Sequence, residues 1–205
     1  MNLKYSYWYF TGVIPPEVCD RIIAIGKKEV PKLGQVNRSS PKEIEEYTDA
    51  DIDELKSTRD SHISWLDLPW IYNILKPLVN QANKDAGWNF QWDYTEQAQF
   101  TIYKPGQFYE WHPDQHHFLY GENDHELMRG KYRKLSTTLL LNDPSEFEGG
   151  ELEFHYDRIK EECCKGMTAK GSLVIFPSFV YHRVKPVTKG TRYSLVTWNL
   201  GFPFT

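Results

Sequence analysis

The sequence predicts a mainly β protein, a double-sheet jelly roll braced by helices from its N-terminal third. Three observations carry this expectation. From Trp88 onward about eight short runs, rich in β-branched and aromatic residues, are divided by Pro, Gly, Asn and Asp turns. Before Trp88 the apolar residues instead recur at helical spacing. A helical block followed by a strand block, within 205 residues, fits one domain whose helices pack on one sheet. That domain, 1–205, divides into helical support and loops over 1–87 and a jelly-roll core over 88–205.

Residues 5–12 read as a short strand. Pro15-Pro16-Glu17 opens a helix to about Glu29, with Val18, Ile22, Ile23 and Ile25 as its apolar side. Residues 31–57 are polar and turn-rich and end in an acidic run from Glu43 to Glu54, which predicts an exposed loop with a solvated face. Arg59 to Trp65 reads as a short strand, with Arg59 expected as a solvated strand residue and entry into the cleft as its alternative. Trp65 to Ala86 has helical spacing at Leu68, Ile71, Leu75, Leu78, Val79 and Ala82 and stops near Gly87. Pro77 is expected to kink or split that helix. Strands follow at 88–94, 97–103, 107–112, 133–141, 151–156, 172–176, 179–185 and 191–199.

Charge and composition exclude some functions. Lys+Arg 24 against Asp+Glu 28 gives a net charge of −4 with no basic block, which argues against a nucleic-acid partner. No apolar run approaches bilayer length, and the N-terminus MNLKYSYWYFTGV lacks a signal core, so no membrane partner is expected. Cys163 and Cys164 are adjacent and Cys19 stands alone, which is no disulfide framework. A reducing cytoplasm is the expected location, with a monomer or weak homodimer as the working form.

The chemistry centres on Gln97 to Asp114, QAQFTIYKPGQFYEWHPD. It reads as a strand, a turn at Lys104-Pro105-Gly106, and a second strand ending at His112-Pro113-Asp114. Side chains alternate along a strand, so His112 and Asp114 point the same way. Alone, a His-x-Asp is more often a surface loop or a satisfied core pair. His182 supplies a third ligand if folding brings its strand alongside. A hairpin pivoting near Thr188 would pair Val184 with Arg192 and make His182 and Arg192 diagonal neighbours about 7–8 Å apart. That separation suits a five-carbon diacid whose keto-acid end chelates a metal and whose far carboxylate meets the guanidinium. Non-haem Fe(II) oxygenases use such a 2-His-1-carboxylate face with open positions, whereas a hydrolytic zinc site needs no such cation. His116, His117 and His125, in the polar loop 115–132, read as solvated or substrate-side, and His155 as a structural hydrogen-bonding residue. Gly149-Gly150 reads as a turn needing positive φ.

Five separate motifs, in order, resemble 2-oxoglutarate/Fe(II) dioxygenases, in particular the prolyl 4-hydroxylase-like group and its bacterial and phage PKHD-type hydroxylases. They are Tyr103, Tyr109 and His112-x-Asp114; Arg133 with Leu135-Ser136-Thr137-Thr138-Leu139-Leu140-Leu141-Asn142; Gly149-Gly150-Glu151-Leu152; Gly171 with Phe176-Pro177-Ser178; and His182 through Arg192 with Trp198. The resemblance covers roughly residues 97–200 and implies a double-stranded β-helix, cupin-like core. It implies that His112, Asp114 and His182 hold Fe(II), that Arg192 binds the C5 carboxylate of 2-oxoglutarate, that Tyr103 hydrogen-bonds this cosubstrate and that Trp198 walls the pocket. Arg133 and Tyr109 fall on the substrate side. Some relatives carry a tyrosine and a threonine beside the C5 carboxylate where this chain has Leu140 and Val196. Thr138 or Ser136 then serves that carboxylate, or Arg192 carries more of it.

The implied activity is hydroxylation of a protein or peptide side chain, with proline as the expected target. It consumes O2 and 2-oxoglutarate, with ascorbate as an auxiliary reductant, and releases succinate and CO2. Long loops at 31–57 and 115–132 suit binding lids. The alternatives are a hydroxylase of a small molecule such as a free amino acid, a non-catalytic cupin-like binding module, and a zinc hydrolase on the same ligands.

Overall fold

The structure is a computed structural model that describes residues 3–29, 32–34, 48, 53, 56–156 and 160–204. The acidic run 43–54 lies almost wholly outside the described residues. In chain order the N-terminal elements are β1 (Trp8–Phe10), α1 (Pro16–Gly26), β2 (Lys32–Leu33), β3 (Arg59–Asp60), β4 (His62–Leu66) and α2 (Pro69–Asp85). Then come β5 (Tyr94–Thr95), β6 (Ala98–Tyr103), β7 (Phe108–His112), β8 (Tyr132–Leu140), β9 (Phe147–Gly149) and β10 (Leu152–Tyr156). The last five are β11 (Lys160–Cys163), β12 (Leu173–Pro177), β13 (Tyr181–Val184), β14 (Val187–Gly190) and β15 (Arg192–Gly201).

Two antiparallel sheets face each other. The larger runs β1-β12-β8-β15-β6-β4-β2, with β5 also on β15; the smaller runs β11-β10-β13-β7-β3. A separate pair, β14 with β9, closes one corner. This is the jelly roll expected from the alternation of strands and turns. Strand β8 shows how one sequence serves two layers. Leu135 and Leu139 pack with Ile22 of α1 and Ile71, Leu75 and Val79 of α2, while Ser136 and Thr138 alternate to the face between the sheets. The inter-sheet layer holds Tyr103, Leu152, Phe154, Val174, Phe176, Val184 and Val187. The helices therefore brace one sheet only, and the space between the sheets is left for mixed polar and aromatic groups.

Several expectations change. Helix α1 ends at Gly26 rather than Glu29, and there a Cβ would collide with the Phe100 ring, so the helix end lies directly on the sheet. Trp65 belongs to β4, and helix α2 starts at Pro69. Pro77 sits inside α2 without splitting it. Residues 73 and 77 are both exposed, so the carbonyl left without its usual donor faces water. Residues 88–94 form no strand except Tyr94. Their backbone is bound instead by Asn83, whose Nδ2 donates to Phe90 O at 2.9 Å and whose Oδ1 accepts from Phe90 N at 3.0 Å.

The most consequential change concerns His182 and Arg192. They do not lie on paired strands. Val184 pairs with Leu152 and Tyr109 in the smaller sheet, whereas Arg192 pairs with Tyr103 in the larger one. The connection is too short a ladder to hairpin because β14 is taken up by β9, with Gly149 at φ 75 fitting the tight corner. The chain thus crosses from one sheet to the other between the two residues.

Phe154 tests the inter-sheet layer. It is fully buried and lies 4.7 Å from the Tyr7 ring and 5.0 Å from the Phe176 ring. Phe154→Ala is expected to cost about 3–5 kcal/mol in chemical denaturation. A loss under about 1 kcal/mol would remove this layer from the folded core.

Candidate metal centre

Strands β7 and β13 are neighbours, and His112 stands directly opposite His182. Asp114 follows β7 and is fixed by its backbone: Asp114 N and Gln115 N both donate to Ser178 O at 2.8 Å. His112 Nε2 lies 3.7 Å from Asp114 Oδ1, and His182 Nε2 lies 3.6 Å from Asp114 Oδ2. One ligand atom from each of the three residues falls within 4.8 Å of the others. The three residues singled out from the sequence are therefore brought together.

Both rings are set in the tautomer a cation requires. His112 Nδ1 donates to Glu110 O at 2.7 Å, and His182 Nδ1 donates to Val180 O at 3.1 Å. Each Nε2 lone pair is left facing the carboxylate. Burial pushes the Asp114 carboxyl upward, but His182, His112, Arg133 and a hydrogen bond from Ser136 outweigh it and leave it at about 2. Burial and then repulsion from His182 hold His112 well below the usual imidazole value. Asp114 Oδ2 has no hydrogen-bond partner among the described residues. A buried carboxylate with an unsatisfied oxygen, faced by two imidazole Nε2 atoms, is a donor set for a divalent cation and fits Fe(II).

A bulge adds one residue to β7 between Tyr109 and His112 relative to β13. Tyr109 and His112, three apart, consequently stack, with ring centroids 3.4 Å apart. Burial raises the Tyr109 phenol to about 12.

Arg192 is 2 % exposed. Its Nη1 donates to Ser194 Oγ at 3.2 Å, its guanidinium lies 5.6 Å from the Tyr103 ring centre, and its Nη2 has no partner among the described residues. Gly150 makes room for it, since a Cβ there would stand 2.9 Å from Arg192 Cδ. An unsatisfied guanidinium in the interior calls for an anion, which fits the far carboxylate of a diacid. The hydroxyl beside Arg192 is that of Ser194, with Thr101 and Leu140 as its cross-strand neighbours. Thr138 stands opposite Val196, two positions further along β15. Ser136 is engaged with Ser178 at 2.9 Å, close to Asp114.

Arg133 and Trp198 form the opposite rim. Arg133 lies 3.8 Å over the Trp198 ring, its Nε and Nη2 each donate to Glu96 at 2.7 Å, and its Nη1 reaches Asp114 O at 3.4 Å. Trp198 Nε1 is buried without a partner among the described residues. None of His116, His117 and His125 joins the ligands: His116 stacks on Phe118, and His125 caps the turn at Leu127.

Sequence reasoning favoured solvent over the cleft for Arg59 and missed Glu96 and Ser194. Arg59, expected in solvent, is 4 % exposed and lies 4.5 Å from the Tyr109 ring centre. Glu96 and Ser194 were not singled out. The alternation of β15 from Arg192 would have found Ser194; no local pattern marks the other two.

A jelly roll with a His-Asp-His centre between its sheets and a buried arginine behind it defines a class of metal-dependent oxygenases. Residues 98–199 match the family model of the 2OG-Fe(II) oxygenase superfamily, and the chain belongs to that superfamily. A PKHD-type hydroxylase of Synechococcus sp. (strain JA-2-3B'a(2-13)) is 37% identical over 102 residues, which are 48% of this chain and 40% of that protein. The chain thus matches less than half the length of such relatives. A Pseudomonas putida prolyl-4-hydroxylase superposes with a TM-score of 0.67 at 20% identity, covering 96% of this chain and 93% of that one. A Trichoplax adhaerens prolyl hydroxylase in complex with a hypoxia inducible factor oxygen degradation domain peptide fragment gives 0.67 at 17% identity, covering 96% and 84%. These two likenesses bear on the fold, which is the double-stranded β-helix expected.

Two measurements follow from this geometry. Asp114→Asn is expected to weaken Fe(II) binding by more than about a hundredfold, beyond the usual cost of altering residues behind the ligands; affinity retained within threefold would remove Asp114 from the centre. The second concerns pH. Burial lowers His116 from 6.5 to about 4, and His112 shifts the same way. The unfolded chain therefore takes up these protons first, so this stability is complete above about pH 6.5 and is lost as pH falls toward 4. The thermal midpoint of metal-free protein should drop across that window; a constant midpoint between pH 7 and pH 5 would contradict the burial of these rings.

Proposed function

We propose that this protein is a 2-oxoglutarate- and O2-dependent hydroxylase of a protein or peptide side chain, with proline as its target, releasing succinate and CO2. One observation carries the reading. Among the described residues, Asp114 and Arg192 are groups of opposite sign that each keep a buried atom without a hydrogen-bond partner, Asp114 Oδ2 and Arg192 Nη2. A metal ion satisfies the first and a dianionic cosubstrate the second, so a single chelated diacid resolves both.

In this reading His112, Asp114 and His182 hold Fe(II), and ascorbate keeps it reduced. Iron and 2-oxoglutarate, when bound, supply the oxidising chemistry that splits O2, decarboxylates the keto acid and inserts oxygen into a C–H bond. The protein's part is orientation and exclusion of water. Arg192 and Ser194 anchor the far carboxylate, and the Tyr103 hydroxyl donates to the cosubstrate from the neighbouring strand. Thr138 lines the same face further along, and Trp198 forms the wall on which Arg133 lies flat. Two of Arg133's nitrogens are committed to Glu96, so it presents a fixed edge beside Asp114, with the Tyr109 ring across from it. These two residues border the substrate.

A polypeptide substrate is supported by the surface next to the centre. Phe118, Leu119 and Tyr181 are about half exposed around a cavity of ≈ 390 Å³ that also includes Pro113 and Gln115, the neighbours of Asp114. The peptide complex of the Trichoplax neighbour is consistent with this. The three cysteines are unbridged, which agrees with a reducing cytoplasm, and no helix is long and apolar enough to cross a membrane among the described residues. The reading includes a monomer or weak homodimer and no nucleic-acid partner.

The test is succinate release with Fe(II), O2, ascorbate and 2-oxoglutarate, with and without proline-containing peptides. Peptide-stimulated turnover with one oxygen added to proline is expected; stimulation by free amino acids alone would move the substrate to small molecules. Arg192→Ala should weaken 2-oxoglutarate binding about 10–100-fold, the worth of a charge-assisted pair, with iron affinity nearly unchanged. Equal loss of both would show that Arg192 does not face the cosubstrate.

A further inference from the structure

Six of the nine residues around the ≈ 390 Å³ cavity beside Asp114, namely Pro113 and the run from Gln115 to Leu119, belong to the chain between β7 and β8. Phe118 and Leu119 are 53 % and 45 % exposed, so burial does not hold this wall in place. The next residue does. Tyr120 is half-buried and is tied down by its backbone, its ring and its hydroxyl. Its N donates to Lys131 O at 3.0 Å and its O accepts from Gly130 N at 2.9 Å, which closes the excursion 121–129 on itself. Its ring meets that of His116 at 88°, with centroids 5.7 Å apart, and His116 in turn stacks on Phe118 at 5.2 Å. Its hydroxyl donates to Glu96 Oε1 at 2.9 Å.

Glu96 is where this wall meets the body of the protein. Its own N donates to Trp198 O at 2.9 Å, on β15. Its Oε1 also accepts from Arg133 Nε at 2.7 Å, and its Oε2 accepts from Arg133 Nη2 at 2.7 Å. Arg133 Nη1 reaches on to Asp114 O at 3.4 Å. One carboxylate thus holds both the loop that carries Phe118 and the arginine beside a metal ligand. A phenol donating to a carboxylate makes a charge-assisted bond, stronger than one between neutral groups. We propose that Tyr120 is a positioning residue: its hydroxyl, latched on Glu96, fixes the His116–Leu119 wall of the cavity and thereby sets the affinity for the peptide substrate. The inference rests on the peptide-hydroxylase reading given above and adds a residue to that site. The shared acceptor also separates two roles. Without the Tyr120 hydroxyl, Glu96 stays paired with Arg133 and no buried charge is orphaned, so the wall alone is released.

Tyr120→Phe on the Fe(II)-loaded protein tests this, since it keeps the ring against His116 and removes only the latch. Steady-state succinate release is measured with the proline-containing peptide that stimulates wild-type turnover most. The variants are Tyr120→Phe, Phe118→Ala and the two combined. Tyr120→Phe is expected to raise KM for the peptide about tenfold with kcat within about twofold, the pattern of lost binding rather than lost chemistry. In the Phe118→Ala background the further rise should stay under about threefold, because the wall being placed no longer carries its ring. Anaerobic calorimetry should find the affinities for Fe(II) and 2-oxoglutarate within about twofold of wild type. An unchanged KM, a fall in kcat at constant KM, the same tenfold rise in both backgrounds, or a parallel loss of metal or cosubstrate affinity overturns the proposal. Wild-type protein whose succinate release responds to no peptide removes the peptide reading and the role of Tyr120 with it. Wild-type stimulation with an unaltered KM in Tyr120→Phe removes only the role of Tyr120.

Discussion

The rest of the structure depends on the placement of one carboxylate. Asp114 carries a full charge in a layer where ionised groups are costly unless compensated. Its backbone N–H is anchored on Ser178, which follows β12 of the larger sheet, while its side chain faces two histidines of the smaller sheet. The two sheets are thus tied together at the residue whose charge most needs company. The Ser136–Ser178 hydrogen bond and the donation from Ser178 N to Lys134 O at 3.0 Å fasten the same point to β8. A displacement of either sheet would leave Asp114 buried without its neighbours, so fold closure and ligand geometry are one constraint.

The strands from Ala98 onward were legible because two signals agree there: short runs rich in β-branched and aromatic residues and frequent Pro/Gly turns. The alternation of side chains along a strand placed His112 and Asp114 on one face. Topology was less legible. Proximity in sequence suggested a hairpin between His182 and Arg192, yet the ladder partners are Phe154 and Tyr103 respectively. A jelly roll sends consecutive strands to opposite sheets, and the short β14 that makes the crossing has no periodicity to announce it. Residues 88–94 failed for a related reason. Trp88 and Phe90 are buried as strand residues would be, but Asn83 of α2 satisfies their backbone, its side chain at Phe90 and its own carbonyl at Trp88 N.

Charged residues were the hardest to read. A lone arginine in a polar stretch carries no pattern, and the default of solvent exposure holds for most of them. Arg59 departs from it because Tyr109, 50 positions further along the chain, supplies an aromatic face. Glu96 and Arg133 are 37 residues apart, and their pairing is visible only once β8 and the segment before β6 lie side by side. Burial by a distant partner leaves no mark on the local sequence.

The buried arginines also divide the interior by charge. Arg133 faces Glu96 in a two-point pair, and burial is outweighed by that carboxylate in raising its pKa above the ordinary arginine value. That guanidinium is satisfied and acts as a rigid, nearly neutral edge over Trp198. Arg192 has no carboxylate partner among the described residues, and burial lowers its pKa instead. Of these two buried guanidiniums on the same sheet, one is paired with a carboxylate and the other keeps a nitrogen without a partner among the described residues. An incoming dianion gains most at the Arg192 end, where it relieves an uncompensated charge, and little at the Arg133 end, where it would compete with Glu96. In the proposed reading, that difference would orient a keto diacid with its distal carboxylate toward Arg192 and its chelating end toward Asp114 and the two histidines.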